Sequence, residues 1–267
     1  MGIFKHAATK SALKKALKKQ HITIDNIPVS SATYIYGGET IVLTTPLAPQ
    51  NIKDPKISFD IIYEDQFLAA IVKPSGVLVS GNKFKTIANS LAHRLTKSDL
   101  PEACIAQPVH RLDFGTSGIL LCGKTRSSIR ELNKMFEHKL MSKSYYAITA
   151  GEMPGSGHIS TPIDGKEALS LFQVIERIDS KKYNCLNLVK LNPKTGRRHQ
   201  LRKHLAGINH PILGDRDYGI DHISSQAQGL YLHSYSLEFI HPFTMEKQSL
   251  IAPIPKRFKK WFKKAQY

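Results

Sequence analysis

The stretch His110-Arg111-Leu112-Asp113-Phe114-Gly115-Thr116-Ser117-Gly118 decides how this chain is read. It sets a carboxylate, Asp113, two residues after a guanidinium, Arg111, and then runs through glycine, threonine, serine and glycine, which is loop chemistry. The apolar run Ile119-Leu120-Leu121 follows at once and reads as a buried strand, so the loop and its aspartate stand on a rigid base. A carboxylate beside arginine stays ionised, ready to act as nucleophile or base, and glycines let a substrate approach closely. By itself the string HRLD describes a surface turn with a local ion pair. Other segments of the chain overturn that bland reading.

Upstream lie Tyr63-Glu64-Asp65, an apolar run Phe67 to Val72, and Lys73-Pro74-Ser75-Gly76. Downstream come Lys143-Ser144-Tyr145-Tyr146-Ala147, then Thr195-Gly196-Arg197-Arg198-His199-Gln200-Leu201-Arg202 with His204-Leu205-Ala206 and His210 to Asp215. Leu232-His233, Leu237-Glu238-Phe239 and His241-Pro242 close the series. Taken together, in this order from about Ile61 to Pro255, the blocks resemble the RluA-type pseudouridine synthases, which isomerise uridine in RNA.

The resemblance implies roles. Asp113 is the catalytic residue, adding to the ribose anomeric carbon or removing the neighbouring 2′ proton; the sequence does not choose between the two routes. Arg202 is the basic residue that pairs with it, although on spacing alone Arg197, Arg198 or Lys203 qualifies equally. Tyr145 stacks on the flipped uracil and could relay the proton from carbon 5, while Tyr146 faces the opposite side of the strand as a core aromatic. Arg111 helps fill the space left by the everted base, and Arg197 and His199 contact substrate. Threonine is frequent in the family where Arg198 stands, and the extra charge is expected to meet phosphate. Base flipping is expected, because a stacked uridine cannot reach an aspartate. No cofactor and no metal are required.

Composition agrees. The 267 residues contain 38 Lys+Arg against 21 Asp+Glu, a formal charge of +17 that attracts a polyanion. Charge alone does not separate RNA from DNA or membrane. Cys104, Cys122 and Cys185 form no C-x-x-C pair and no even-numbered framework, which favours a reducing compartment. The histidines lack metal-ligand spacing; His199 and His204 read as RNA-facing or packing residues. Lysines interrupt the N-terminus, and no run of about 18 apolar residues occurs, so a cytoplasmic, membrane-free monomer is expected.

The chain opens on a basic module over residues 1–46. Ser11 to Gln20 reads as a helix, with Leu13, Ala16 and Leu17 on one side and Lys14, Lys15, Lys18 and Lys19 on the other. Strands are expected at Ile22 to Ile24, Ala32 to Tyr36 and Thr40 to Leu43. A lysine helix before a small sheet resembles the RNA-binding domain named after ribosomal protein S-four. The glycine usual after that helix is replaced at Gln20-His21, and Asp25-Asn26 stands for the usual Asn-Gly turn. The same residues also suit a solvated helix before an edge strand. Residues 47–58, with Pro49 and Pro55, read as a linker.

From 59 to 267 the pattern is α+β on a mixed, mainly antiparallel sheet, preceded by the small α/β module. Strands are expected at Phe67 to Val72, Ile119 to Cys122, Tyr145 to Thr149, Leu171 to Ile178, Cys185 to Leu191 and Gly229 to Leu232. Helices are expected at Thr86 to Leu95, Arg126 to His138 and His199 to Ile208, with a basic C-terminal helix whose Phe258, Trp261 and Phe262 pack inward. The expected activity is uridine isomerisation, favouring large-subunit ribosomal RNA because the N-terminal module accompanies the family's ribosomal enzymes. Transfer RNA is the alternative substrate, and a noncatalytic RNA-binding or ribosome-assembly protein the alternative class. A nucleoside hydrolase is disfavoured, since no carboxylate cluster is present to bind metal and ribose.

Overall fold

A computed structural model describes residues 9–44, 53–219 and 229–262. The chain divides into two compact units, Met1–Lys53 and Asp54–Tyr267. In the first, helix α1 (Lys10–Lys18) is capped by the Thr9 hydroxyl, which accepts the Ala12 N–H at 3.1 Å. It precedes an antiparallel sheet of β1 (Ile22–Ile24), β2 (Ile27–Pro28) and β3 (Ile41–Leu43), with β1 in the middle. The missing glycine leaves a trace, for Gln20 itself takes the left-handed conformation, φ +56°. Asp25 and Asn26 both have positive φ, the geometry a two-residue hairpin demands. The strand expected at Ala32 to Tyr36 does not form. Both edges of β1 are already taken, and the Glu39 carboxylate accepts the Tyr36 and Gly37 N–H groups at 2.7 Å each.

The second unit begins inside the stretch read as linker, because Pro55 and Ile57 are buried, Ile57 in a cluster with Ile71 and Val79. It is built on a ten-stranded sheet. Its strands are β4 (Asp60–Glu64), β5 (Leu68–Lys73), β6 (Ala103–Pro108), β7 (Ser117–Thr125), β8 (Ser142–Ala150), β9 (Ser156–Ile159), β10 (Ser170–Ser180), β11 (Asn184–Pro193), β12 (Leu232–Ile240) and β13 (Lys247–Ile251). The main path runs β4-β5-β7-β12-β8-β11-β10-β9, with β6 on β7 and β13 on β12. All these pairings are antiparallel except β7 with β12, which matches the expected mixed, mainly antiparallel α+β fold. β12 starts where the strand expected at Gly229 to Leu232 ends; its pairing with β7 and β8 begins only at Leu232 and His233.

Helices α2 (Ile87–Arg94), α3 (Arg126–Glu137) and α4 (Gln200–Gly207) fall where periodicity places them. Thr86 and Thr125 cap the first two. The C-terminal helix is a single turn, α5 (Lys256–Lys259), yet Phe258 and Phe262 are fully buried in the same cluster as Leu188, Leu205 and Tyr231. Burying two such rings contributes several kcal/mol on the area scale of about 25 cal/mol per Å². Lys263 and Lys264 lie outside the described residues.

Candidate active site

The loop 110–118 is held from three sides. His110 Nε2 accepts the Leu121 N–H at 2.9 Å while its ring packs on Phe136, 4.5 Å between centroids, so the motif's histidine ties the loop to its own strand. From the β5 turn, Gly76 N–H donates to the Phe114 carbonyl at 2.8 Å and the Ser75 hydroxyl to the Gly115 carbonyl at 2.6 Å. At the far end Ser117 Oγ lies 2.9 Å from Nδ1 of buried His233. Gly118 adopts φ +109°, and a Cβ there would stand 2.1 Å from the Ser234 carbonyl oxygen, so only glycine lets β7 and β12 approach in parallel.

Lys73 is the residue sequence reasoning passed over. Its ammonium is fully buried and donates to the carbonyls of Pro74, Val77 and Phe114 at 2.9, 2.8 and 3.3 Å. Burial pushes it down to about 8, with the Asp113 charge pulling the other way. It therefore remains cationic at neutral pH, all three N–H groups engaged. Its sequence signals are its place at the end of an apolar strand and its membership of the Lys73-Pro74-Ser75-Gly76 block, neither of which shows where its ammonium goes.

Asp113 is 20% exposed at its side chain, with Oδ1 3.6 Å from His199 Nε2 and Oδ2 3.6 Å from Arg202 Nη1. The expected Arg202–Asp113 pairing is thus present as proximity, but the arginine's hydrogen bonds go elsewhere. Arg202 Nε and Nη2 clamp the Asp215 carboxylate at 2.7 and 2.6 Å, and Nη2 also reaches Asp217 at 2.6 Å. Asp215 is 1% exposed. A buried fork-to-carboxylate pair fixes the guanidinium plane and leaves Nη1 to face Asp113. Although burial opposes it, Asp215 and Asp217 hold Arg202 more firmly protonated than an ordinary arginine.

The turn before α4 is set by Gln200. Its Oε1 accepts from the Thr195 hydroxyl and the Arg197 N–H, and its Nε2 donates to the Leu169 carbonyl and to Ser170. Arg197 Nε donates to the Glu167 carbonyl at 2.9 Å. His204 packs inward, bonded to Ser170 and to the Thr161 carbonyl. Tyr145, on β8 between β11 and β12, has its hydroxyl pushed up by burial and further by the Asp113 charge, against a hydrogen bond to Ser234. Tyr146 packs on Tyr235, 4.7 Å between centroids.

A cleft of about 1070 Å³ collects these groups. Asp113, Tyr145, Arg202, Arg111, Arg197 and His199 all line it. Its walls also carry Lys139, Lys143, Lys194 and Arg198, against two carboxylates, Asp113 and Glu137, so its field favours a polyanion. Lys14, Lys15 and Lys18 are exposed on α1 of the first unit and are not among its lining residues. Among the described residues no group of three or more His, Cys, Asp or Glu is placed to hold a metal ion, and no helix is long and apolar enough to cross a membrane.

Residues 68–207 match the family model for RNA pseudouridylate synthase. The chain is 33% identical over 210 residues to the dual-specificity RNA pseudouridine synthase RluA of Vibrio parahaemolyticus, covering 73% of this chain and 82% of that protein. It is 32% identical over 285 residues to the ribosomal large subunit pseudouridine synthase C of Vibrio vulnificus, covering 94% and 86%. Among solved structures, human RNA pseudouridylate synthase domain containing 4 superposes with a TM-score of 0.60 at 26% identity, over 74% of this chain and 89% of that one. The chain belongs to the RluA-type RNA pseudouridine synthases.

Proposed function

We propose that Asp113 performs the ribose chemistry on a uridine turned out of folded RNA into this cleft, and that the RNA is large-subunit ribosomal RNA. The observation that carries the catalytic assignment is the placing of one carboxylate between His199 and Arg202 in a cleft where cations outnumber carboxylates. Asp113 either bonds to C1′ or removes the 2′ proton to leave a glycal; in both routes the C1′–N1 bond breaks and its electron pair stays on uracil. The ring turns and C5 bonds to C1′ as the Asp113–C1′ bond breaks or the 2′ proton returns from Asp113; the C5 proton is then lost and N1 takes one up, with Tyr145 beside the base to take part in that transfer. Nothing is oxidised or reduced overall. Arg111 and Arg197 hold the substrate's phosphates and the everted nucleotide, and His199 meets the substrate beside the Asp113 carboxylate.

The ribosomal assignment is supported by relatives named as ribosomal large subunit synthases. A relative named dual-specificity supports a second RNA substrate, and transfer RNA is the alternative. Residues 1–46 serve as an RNA-binding module of the ribosomal protein S-four type, with Lys14, Lys15 and Lys18 facing phosphates.

Asp113→Asn tests the chemistry. Tritium release from 5-tritiated uridine in RNA should fall to background while RNA affinity stays within about twofold, because one carboxylate adds little to phosphate binding. Substantial turnover by the Asn variant would remove Asp113 from the mechanism. A pseudouridine map from cells lacking this gene should show vanished sites in large-subunit ribosomal RNA; sites lost only from transfer RNA would overturn that choice.

A further inference from the structure

His199 is held in an unusual way for the residue that opens a helix. It adopts the left-handed conformation, φ +55° and ψ +27°, and its side chain makes no cap to α4. Left-handed geometry in a residue other than glycine is uncommon and persists where its surroundings dictate it. Here the surroundings are Tyr218 and Asp113. His199 Nδ1 lies 2.9 Å from the Tyr218 hydroxyl, and Nε2 lies 3.6 Å from Asp113 Oδ1.

Tyr218 is itself fixed by the arginine clamp. The Asp215 carboxylate that grips Arg202 also accepts the Asp217 and Tyr218 N–H groups, at 3.0 and 3.2 Å. The Arg202 guanidinium lies 5.0 Å from the centre of the Tyr218 ring. Contacts thus close a circuit: Asp215 to Arg202, Arg202 to Asp113, Asp113 to His199, His199 to Tyr218, and Tyr218 back to Asp215.

Two hydrogen arrangements fit the His199–Tyr218 contact. If Nδ1 donates to the tyrosine oxygen, a lone pair on Nε2 faces the Asp113 carboxylate, which is repulsive. If the Tyr218 hydroxyl donates to Nδ1, the imidazole proton sits on Nε2 and points at the carboxylate, which is attractive. We propose that Tyr218 is a positioning residue that locks His199 as its Nε2–H tautomer, so that a neutral imidazole steers the Asp113 carboxylate into its reacting orientation. This rests on the assignment of the chemistry to Asp113.

The groups facing His199 agree with a neutral ring. Burial lowers its proton affinity, Asp113 and Asp217 raise it, and Arg202 and Arg198 lower it, with the net effect downward. A neutral imidazole has one N–H to place, so its tautomer decides whether Asp113 meets a donor. A protonated ring has both, and needs no lock.

That difference gives the test. Tyr218→Phe should lower single-turnover kcat roughly tenfold at pH 8, the worth of one hydrogen bond, with KM for RNA unchanged. As pH falls through the His199 titration, which lies below 6.5 and is followed by the ring's nitrogen-15 shifts, the deficit relative to wild type should shrink, because protonation restores the N–H facing Asp113. His199→Gln, whose amide places a donor near Nε2 without a tautomer, should be insensitive to adding Tyr218→Phe. Nitrogen-15 shifts of His199 in the wild-type protein report the tautomer directly, whatever the variants' folding. An Nδ1–H tautomer, an unchanged kcat in Tyr218→Phe, or a deficit constant with pH overturns the proposal. Asp113→Asn is run alongside: if it is inactive while Tyr218→Phe is unaffected, only the tautomer lock fails, and if it is active, the assignment beneath it fails.

Discussion

The two compact units treat charge in opposite ways. In the first, Lys14, Lys15, Lys18 and Lys19 are exposed, Tyr34 and Tyr36 are 82% and 90% exposed, and Ile22 alone among the described residues is buried. In the second, Lys73, Arg202 and Asp215 are buried, Lys73 bonded to backbone carbonyls and Arg202 clamped to Asp215. Burying a charge costs several kcal/mol before its partners offset it, and only a unit with a large core can bear that cost. The small unit can use charge only at its surface, as screened attraction for a polyanion. The large unit can fix charges in advance around the Asp113 carboxylate, where low polarity makes them effective.

The largest effect that could break this comparison is removal of a buried cation. Arg202→Met leaves Asp215 buried without its counter-charge, and should cost about 3–5 kcal/mol of unfolding free energy as well as most turnover. Urea denaturation of the full chain, reading the second unit's transition, checks it. A loss below about 1 kcal/mol would mean that water already reaches the pair and that the circuit through Tyr218 is loosely held.

Much of this architecture was legible because hydrophobic runs and signature residues are local. The run Ile119-Leu120-Leu121 between turn residues reads as a buried strand and lies in β7, and Asp113, Tyr145 and Arg202 line one cleft. What was not legible depends on partners distant in sequence. Tyr34-Ile35-Tyr36 has strand-forming side chains but no free strand edge of β1 to pair with. Asp215 looked like one more polar residue after Gly214, and its role appears only when Arg202, on α4, reaches it across 13 positions. Lys73 is similar: nothing local shows that three carbonyls await its ammonium. His110 could be seen in the motif, yet its bond to Leu121 required the strand to fold back beside it.

An intermediate effect concerns acid. His233 is fully buried behind the 110–118 loop, and burial pushes it from 6.5 down to about 4. Between those values the unfolded chain binds a proton there that the native chain does not, so stability falls as pH falls. The loss from this residue should approach about 3 kcal/mol by pH 4. His110, pushed down to about 3, acts in the same direction. Urea midpoints for wild type and His233→Gln between pH 7 and pH 4.5 should converge toward acid, the variant being flatter. Parallel curves would show that His233 accepts its proton without unfolding, and would weaken the picture of a dry interior behind the loop.

The smallest expected effect on stability is also the sharpest test of the surface half of the comparison. Lys14→Gln, Lys15→Gln and Lys18→Gln combined remove three exposed charges from α1, so unfolding free energy should change by less than about 0.5 kcal/mol. RNA binding should weaken, and the slope of log affinity against log salt should become shallower by about 0.7–0.9 for each phosphate that is no longer neutralised. Turnover at saturating RNA should remain at the wild-type value, since the residues assigned to the chemistry all belong to the second unit. The two readouts separate the possibilities. An unchanged salt slope would make the lysine face merely solvated, whereas a loss of stability above about 1 kcal/mol would mean that its charges are structural, and the contrast between the units would then be one of degree.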